Sequence, residues 1–110
     1  MTRESRKIIR GLPSKSLRAR VKIDIMLHNC TIKYYRRWIR YYIRANTEKH
    51  ALLDVLDGKT TDSRQIRRIT KNLKKSRRTH LWDWENPHWS KAWIKVYDDW
   101  IAHLNGMLEQ

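Results

Sequence analysis

Apolar residues return at steps of three and four through most of this chain, with polar residues gathered on the arcs between them, the spacing of amphipathic helices. The pattern is sharpest over residues 62–78. Ile66, Ile69 and Leu73 form one narrow stripe, while Arg64, Arg67, Arg68, Lys71, Lys74, Lys75 and Arg78 fall on the opposite side. Asp62 followed three residues later by Gln65 has the spacing of a capping box, so the helix is predicted to begin there. A second strong helix is predicted over 31–44. Lys33, Arg36, Arg37, Arg40 and Arg44 share an arc of about 100°, and Ile, Tyr and Trp residues fill the remainder. An apolar side that wide suits contact with two neighbours, which makes 31–44 the expected core element with its cationic strip exposed.

Asn46, Thr47 and Glu48 form a predicted break or cap before the apolar run of 49–57, which is read either as a new helix or as a continuation of the one before, and Gly58 supplies a C-terminal stop. The last helix is predicted from Pro87, with Asn86 as its N-cap, to Asn105 ahead of Gly106. Trp89, Trp93, Val96, Trp100 and Ile101 or Leu104 would line its buried side. Residues 16–27 carry two signals. Ala19, Val21, Ile23, Ile25 and Leu27 alternate with Arg20, Lys22 and Asp24 in the manner of a half-buried strand, yet no second run alternates as well, and a lone strand leaves its backbone groups unpaired. A helix over 16–27 is the preferred reading. The alternative is a strand over 18–27 that pairs with a second copy in a dimeric ribbon. Residues 2–11 fit a short helix closed by Gly11 and Pro13, so that 1–13 forms a loosely docked basic arm with Ile8, Ile9 and Leu12 as its contacts. The expected fold is all-α, a single domain built as a compact bundle of four to five helices.

Composition supports that class, because 110 residues with only three glycines and two prolines lack the turn residues of a β-sandwich. Phe is absent while Trp occurs six times and Tyr five, so nearly every large ring carries a polar handle suited to a wet boundary. Charge adds an asymmetry. Residues 1–78 hold 23 Lys or Arg against 6 Asp or Glu, whereas the Trp-rich residues 79–110 hold 2 against 5, within an overall formal charge of +14. That imbalance is the electrostatic footprint of a binder of nucleic acid or another polyanion. Cys30 stands alone, which excludes an intramolecular disulfide and fits a reducing compartment. The basic N-terminus lacks the apolar run of a signal peptide, and no stretch is long enough to span a bilayer, so a cytoplasmic protein with no integral membrane association is expected.

The candidate chemistry is phosphate binding. Lys33, Arg36, Arg37, Arg40 and Arg44 on one helix, and Arg64, Arg67, Arg68, Lys71, Lys74, Lys75 and Arg78 on the other, have the spacing that meets successive phosphates of DNA or RNA. Seven like charges along about 25 Å of helix repel one another, so a polyanion or salt lowers their energy. The expected function is that of a small non-enzymatic nucleic-acid-binding protein, a regulator or accessory factor. The competing reading is an adaptor or inhibitor that grips a protein or ribonucleoprotein through Trp82 and Trp84 in the acidic C-terminal third. A third reading takes the Arg, Tyr and Trp residues of 33–44 as an interfacial membrane helix, which conflicts with their expected place in the core. Metal and cofactor sites are not expected: His28 with Cys30, and His80 with His88, do not complete a four-ligand spacing. Asp98 and Asp99 diverge by about 100° on a helix and make no catalytic carboxylate pair.

Overall fold

The computed structural model describes residues 7–8, 10–34, 39–80 and 87–110, with side chains described for 7–8, 10–30, 40–79 and 91–110. Four helices account for most of the described chain: α1 (Leu17–Tyr34), α2 (Ile39–Leu56), α3 (Ser63–His80) and α4 (Pro87–Leu108). Helical residues at 7–8 and 10–11 and a 3-10 turn, Leu12–Ser14, precede them, and no strand occurs among the described residues. The all-α expectation holds and the strand-and-ribbon alternative fails. Its alternation misled because Arg20 and Asp24, two of the polar positions, are buried together with Val21, so the inward positions follow the helical steps 17, 20, 21, 24 and 28.

Local signals fix most of the ends. The Ser16 hydroxyl accepts the Ala19 amide at 3.2 Å, which caps α1. At the end of α2, Gly58 adopts φ +74°, while its amide bonds Val55 O and the Lys59 amide reaches Asp54 O at 2.9 Å. That pair of reversed bonds is a Schellman closure, and it needs the left-handed residue that glycine supplies. Asp62 Oδ1 accepts the Arg64 amide at 3.0 Å to start α3. The reciprocal half of the capping box is not made, because Gln65 Oε1 accepts the Thr60 hydroxyl instead.

One open boundary is decided and one predicted boundary is corrected. Asn46 and Thr47 do not break a helix: Asn46 turns inward to meet His28 and Asn29, and the Thr47 hydroxyl bonds Ile43 O within the same helix. Gly106 does not stop α4, which continues to Leu108 because Met107 and Leu108 still pack against the core. The predicted unit 31–44 is also divided, with its first residues completing α1 and its last opening α2. Its described apolar residues are not core. Tyr41 and Ile43 are 49% and 53% exposed, and α2 buries Asn46, Lys49, Leu52 and Val55 instead. Pairing α2 along α1 brings Leu52 and Val55 into one cluster with Val21, an arrangement that one continuous helix through both could not make.

The helices pack as two hairpins. Arg18 with Asp57, Asp24 with Lys49, and His28 with Asn46 fix α1 antiparallel to α2. In the second hairpin α3 lies mainly on α4, with Arg77 of α3 bound to Asp98 of α4 at 2.6 Å. The shared core comprises Leu12, Val21, Leu52, Val55, Ile66, Ile69, Leu73, Trp93, Val96, Tyr97, Trp100 and Leu104. A radius of gyration of 13.9 Å is near the value of about 13 Å for a compact domain of this length.

Candidate functional site

The amphipathic pattern of α3 becomes two physical faces. Ile66, Ile69 and Leu73 are each 3% exposed, and Thr70 joins them with its hydroxyl bonded back to Ile66 O. Arg64, Arg67, Arg68, Lys71, Lys74, Lys75 and Arg78 are all exposed on the other side. The apolar anchor therefore sets the rotation of the helix, and rotation sets where the cations point. A cleft of about 400 Å³ lined by Asp62, Arg64, Gln65 and Arg68 opens at the N-terminal end of this face. Its lining carboxylate is already engaged, since Asp62 caps the Arg64 amide.

None of the seven cations makes an ion pair among the described residues. Asp98 and Asp99, two carboxylates of the acidic third, are committed elsewhere. Asp98 takes Arg77, a cation whose wheel position lies beside the apolar stripe, and Asp99 takes Arg20 at 2.6 Å and Lys95 at 2.9 Å. Hydrogen bonds from Arg20 and then Lys95 hold the Asp99 carboxyl below its ordinary range. Asp98 and Asp99 thus serve different partners, as their divergence on the helix requires. Asp83 and Glu85 lie outside the described residues.

The second predicted strip is placed only in part. Arg40 and Arg44 are exposed one turn apart on α2, whereas the side chains of Lys33, Arg36 and Arg37 lie outside the described residues. So do Trp82, Trp84 and the ring of Trp89. Trp93 and Trp100 are core, and Trp100 Nε1 donates to Leu17 O at 3.1 Å, so neither offers a face to a base. Both ring nitrogens of His28 face protein groups: Nδ1 meets Asn46 Oδ1 at 2.9 Å and Nε2 faces Asp24 at 3.3 Å, while Cys30 is exposed nearby in sequence.

Sequence reasoning missed a buried polar cluster between the hairpins. Lys49, 2% exposed, places its Nζ 3.3 Å from Asp24 Oδ2 and 3.1 Å from the Tyr97 hydroxyl, and lies over the rings of Tyr97 and Trp100. Burial pushes its ammonium down, but Tyr97 and Asp24 outweigh burial and hold it above the ordinary lysine value. Arg20, also buried, donates to Pro13 O, Lys15 O and Asp99, which ties the first turn to α1 and α4. One signal was available: Lys49 stands three residues before Leu52 on the inward stripe, and Asp24 three after Val21. The cluster joins α4 to α1 and α2. No helix among the described residues is long and apolar enough to cross a membrane. No protein family model matches the chain, and neither the curated proteins nor the solved structures yield a relative.

Proposed function

We propose that the protein binds nucleic acid through the cationic face of α3, holding phosphates without chemistry on them, in the role of a regulator or accessory factor. The observation that carries this reading is the set of seven exposed cations on one core-anchored helix, none ion-paired among the described residues, beside acidic side chains spent on Arg20, Arg77 and Lys95. Phosphates would supply counter-charge to these cations and release the condensed cations of the nucleic acid, which is the main source of sequence-independent affinity. Arg40 and Arg44 add two further cations on α2.

Charge reversal at Arg67, Lys71 and Lys74 tests the reading, because all three side chains are exposed and the anchoring stripe is untouched. Fluorescence anisotropy should show binding abolished while the helical circular dichroism is retained. About six phosphate contacts give a slope near −5 for log affinity against log salt. Failure of DNA and RNA, single-stranded and duplex, to bind at low salt would refute it. Capture of one protein from a nuclease-treated lysate would instead favour the adaptor reading at Trp82 and Trp84.

A further inference from the structure

The seven cations of α3 are not a uniform patch; their register divides them into rows. At about 100° per residue, Arg64, Lys71 and Arg78 follow one line, Arg67 and Lys74 a second, and Arg68 and Lys75 a third. The steps are seven residues, about 10.5 Å along the axis. The 67/74 and 68/75 rows splay to either side of the 64/71/78 row and stand about 100° apart. We infer, building on the proposed phosphate binding by α3, that this helix inserts into the major groove of B-form duplex DNA. In that arrangement Arg67 and Lys74 meet the phosphates of one wall, Arg68 and Lys75 those of the other, and Arg64, Lys71 and Arg78 lie over the floor.

Three observations favour a two-walled groove over a single strand. A lone backbone offers one line of phosphates, whereas α3 carries two divergent outer rows. Binders of single strands add aromatic platforms for the unstacked bases, but α3 contains no Phe, Tyr or Trp, and among the described residues of its neighbour the rings of Trp93, Tyr97 and Trp100 are buried. The buried positions of α3 are confined to Ile66, Ile69, Thr70 and Leu73, so the opposite side stands clear of the bundle. A helix with its side chains is about 10–12 Å across, which the major groove of B-DNA, about 12 Å wide, admits. The deep and narrow major groove of A-form RNA does not.

The test is anisotropy with the full chain on three probes, a DNA duplex of about 16 base pairs, one of its strands, and the RNA duplex of the same sequence, each at several salt concentrations. The DNA duplex should bind at least about ten-fold more tightly than the other two at equal salt. R67Q/K74Q and R68Q/K75Q should each lower the magnitude of its salt slope by about 2, one unit per lost phosphate contact. Circular dichroism confirms that both variants fold. Equal or tighter binding of the single strand or of the RNA duplex overturns insertion while leaving phosphate binding by α3 intact. So does loss confined to one outer row. Failure of all three probes at low salt overturns the underlying reading itself.

Discussion

An ammonium that is 2% exposed has lost most of its hydration, and Lys49 is tolerated because Asp24, the Tyr97 hydroxyl and two ring faces replace the lost water. Asp24 is equally dependent on Lys49, since its Oδ2 has that ammonium as ionic partner but no hydrogen bond of its own. Removing Lys49 leaves the buried Asp24 with His28 alone beside it. Lys49→Met should therefore cost about 3–5 kcal/mol in urea unfolding, and adding Asp24→Asn should restore part of it by removing the uncompensated charge. An unchanged midpoint for Lys49→Met would show that the pair contributes nothing. The same residues set the alkaline limit. The pKa of Lys49 is raised on folding by Tyr97 and Asp24 against burial, and that of Tyr97 is raised by burial. For a raised pKa the folded state holds its proton more tightly, so the contribution is complete below the unfolded value, about 10 for both, and is lost as pH rises beyond it. At the acid end Asp99 and Asp57, lowered chiefly by Arg20 and Arg18, contribute above about pH 4 and lose that contribution as pH falls below it. Melting temperature against pH should thus be flat through neutrality and fall near pH 10.

At the scale of elements, two glycines with the same open surroundings should respond in opposite ways. Neither Gly58 nor Gly106 would bring an added Cβ within 4 Å of another group, so any difference is conformational. Gly58 sits at φ +74° in the Schellman closure of α2, where alanine pays about 1–2 kcal/mol. Gly106 lies inside α4, where alanine should stabilise by about 0.5–1 kcal/mol. Thermal denaturation of G58A and G106A checks both signs, and destabilisation by G106A would mean that α4 ends before Leu108. The pair also shows why elements were only partly legible. A glycine after an apolar run reads as a stop in both places, but the continuation of α4 depends on Met107 and Leu108 finding the core, which is tertiary information. Likewise, Asn46 and Thr47 look like a break until Asn46 finds His28 and Asn29 on α1. The stripes of α3 and α4 were legible because their apolar positions are consecutive helical steps with no charged residue among them. The inward faces of α1 and α2 were not, because Arg20, Asp24 and Lys49 occupy core positions through partners up to 79 residues away.

For the molecule as a whole, the candidate site was more legible than the joint beneath it. The cations of α3 segregate within one helix, so periodicity alone placed them, whereas their lack of ion pairs among the described residues depends on where Asp98 and Asp99 turn, and that is decided by the packing of α4. The cost of such a surface is self-repulsion. Arg64, Arg67, Arg68, Lys71, Lys74, Lys75 and Arg78 lie within about 21 Å along α3, well inside the Debye length of about 30 Å at 0.01 M salt and partly beyond the 10 Å of 0.1 M. Folding gathers these charges more closely than the unfolded chain does, so screening should favour the folded state. Raising monovalent salt from about 0.01 to 0.2 M should therefore raise the melting temperature, and relief of about 1 kcal/mol corresponds to roughly 4–8 °C for a small domain. R68Q/K75Q should melt higher than the parent at low salt and converge with it at high salt. This prediction is separate from binding, since it needs no ligand. If the melting temperature were independent of salt, or the variant melted lower in 0.01 M salt, the exposed cations would not be repelling one another, and relief of repulsion could not help drive a polyanion onto α3.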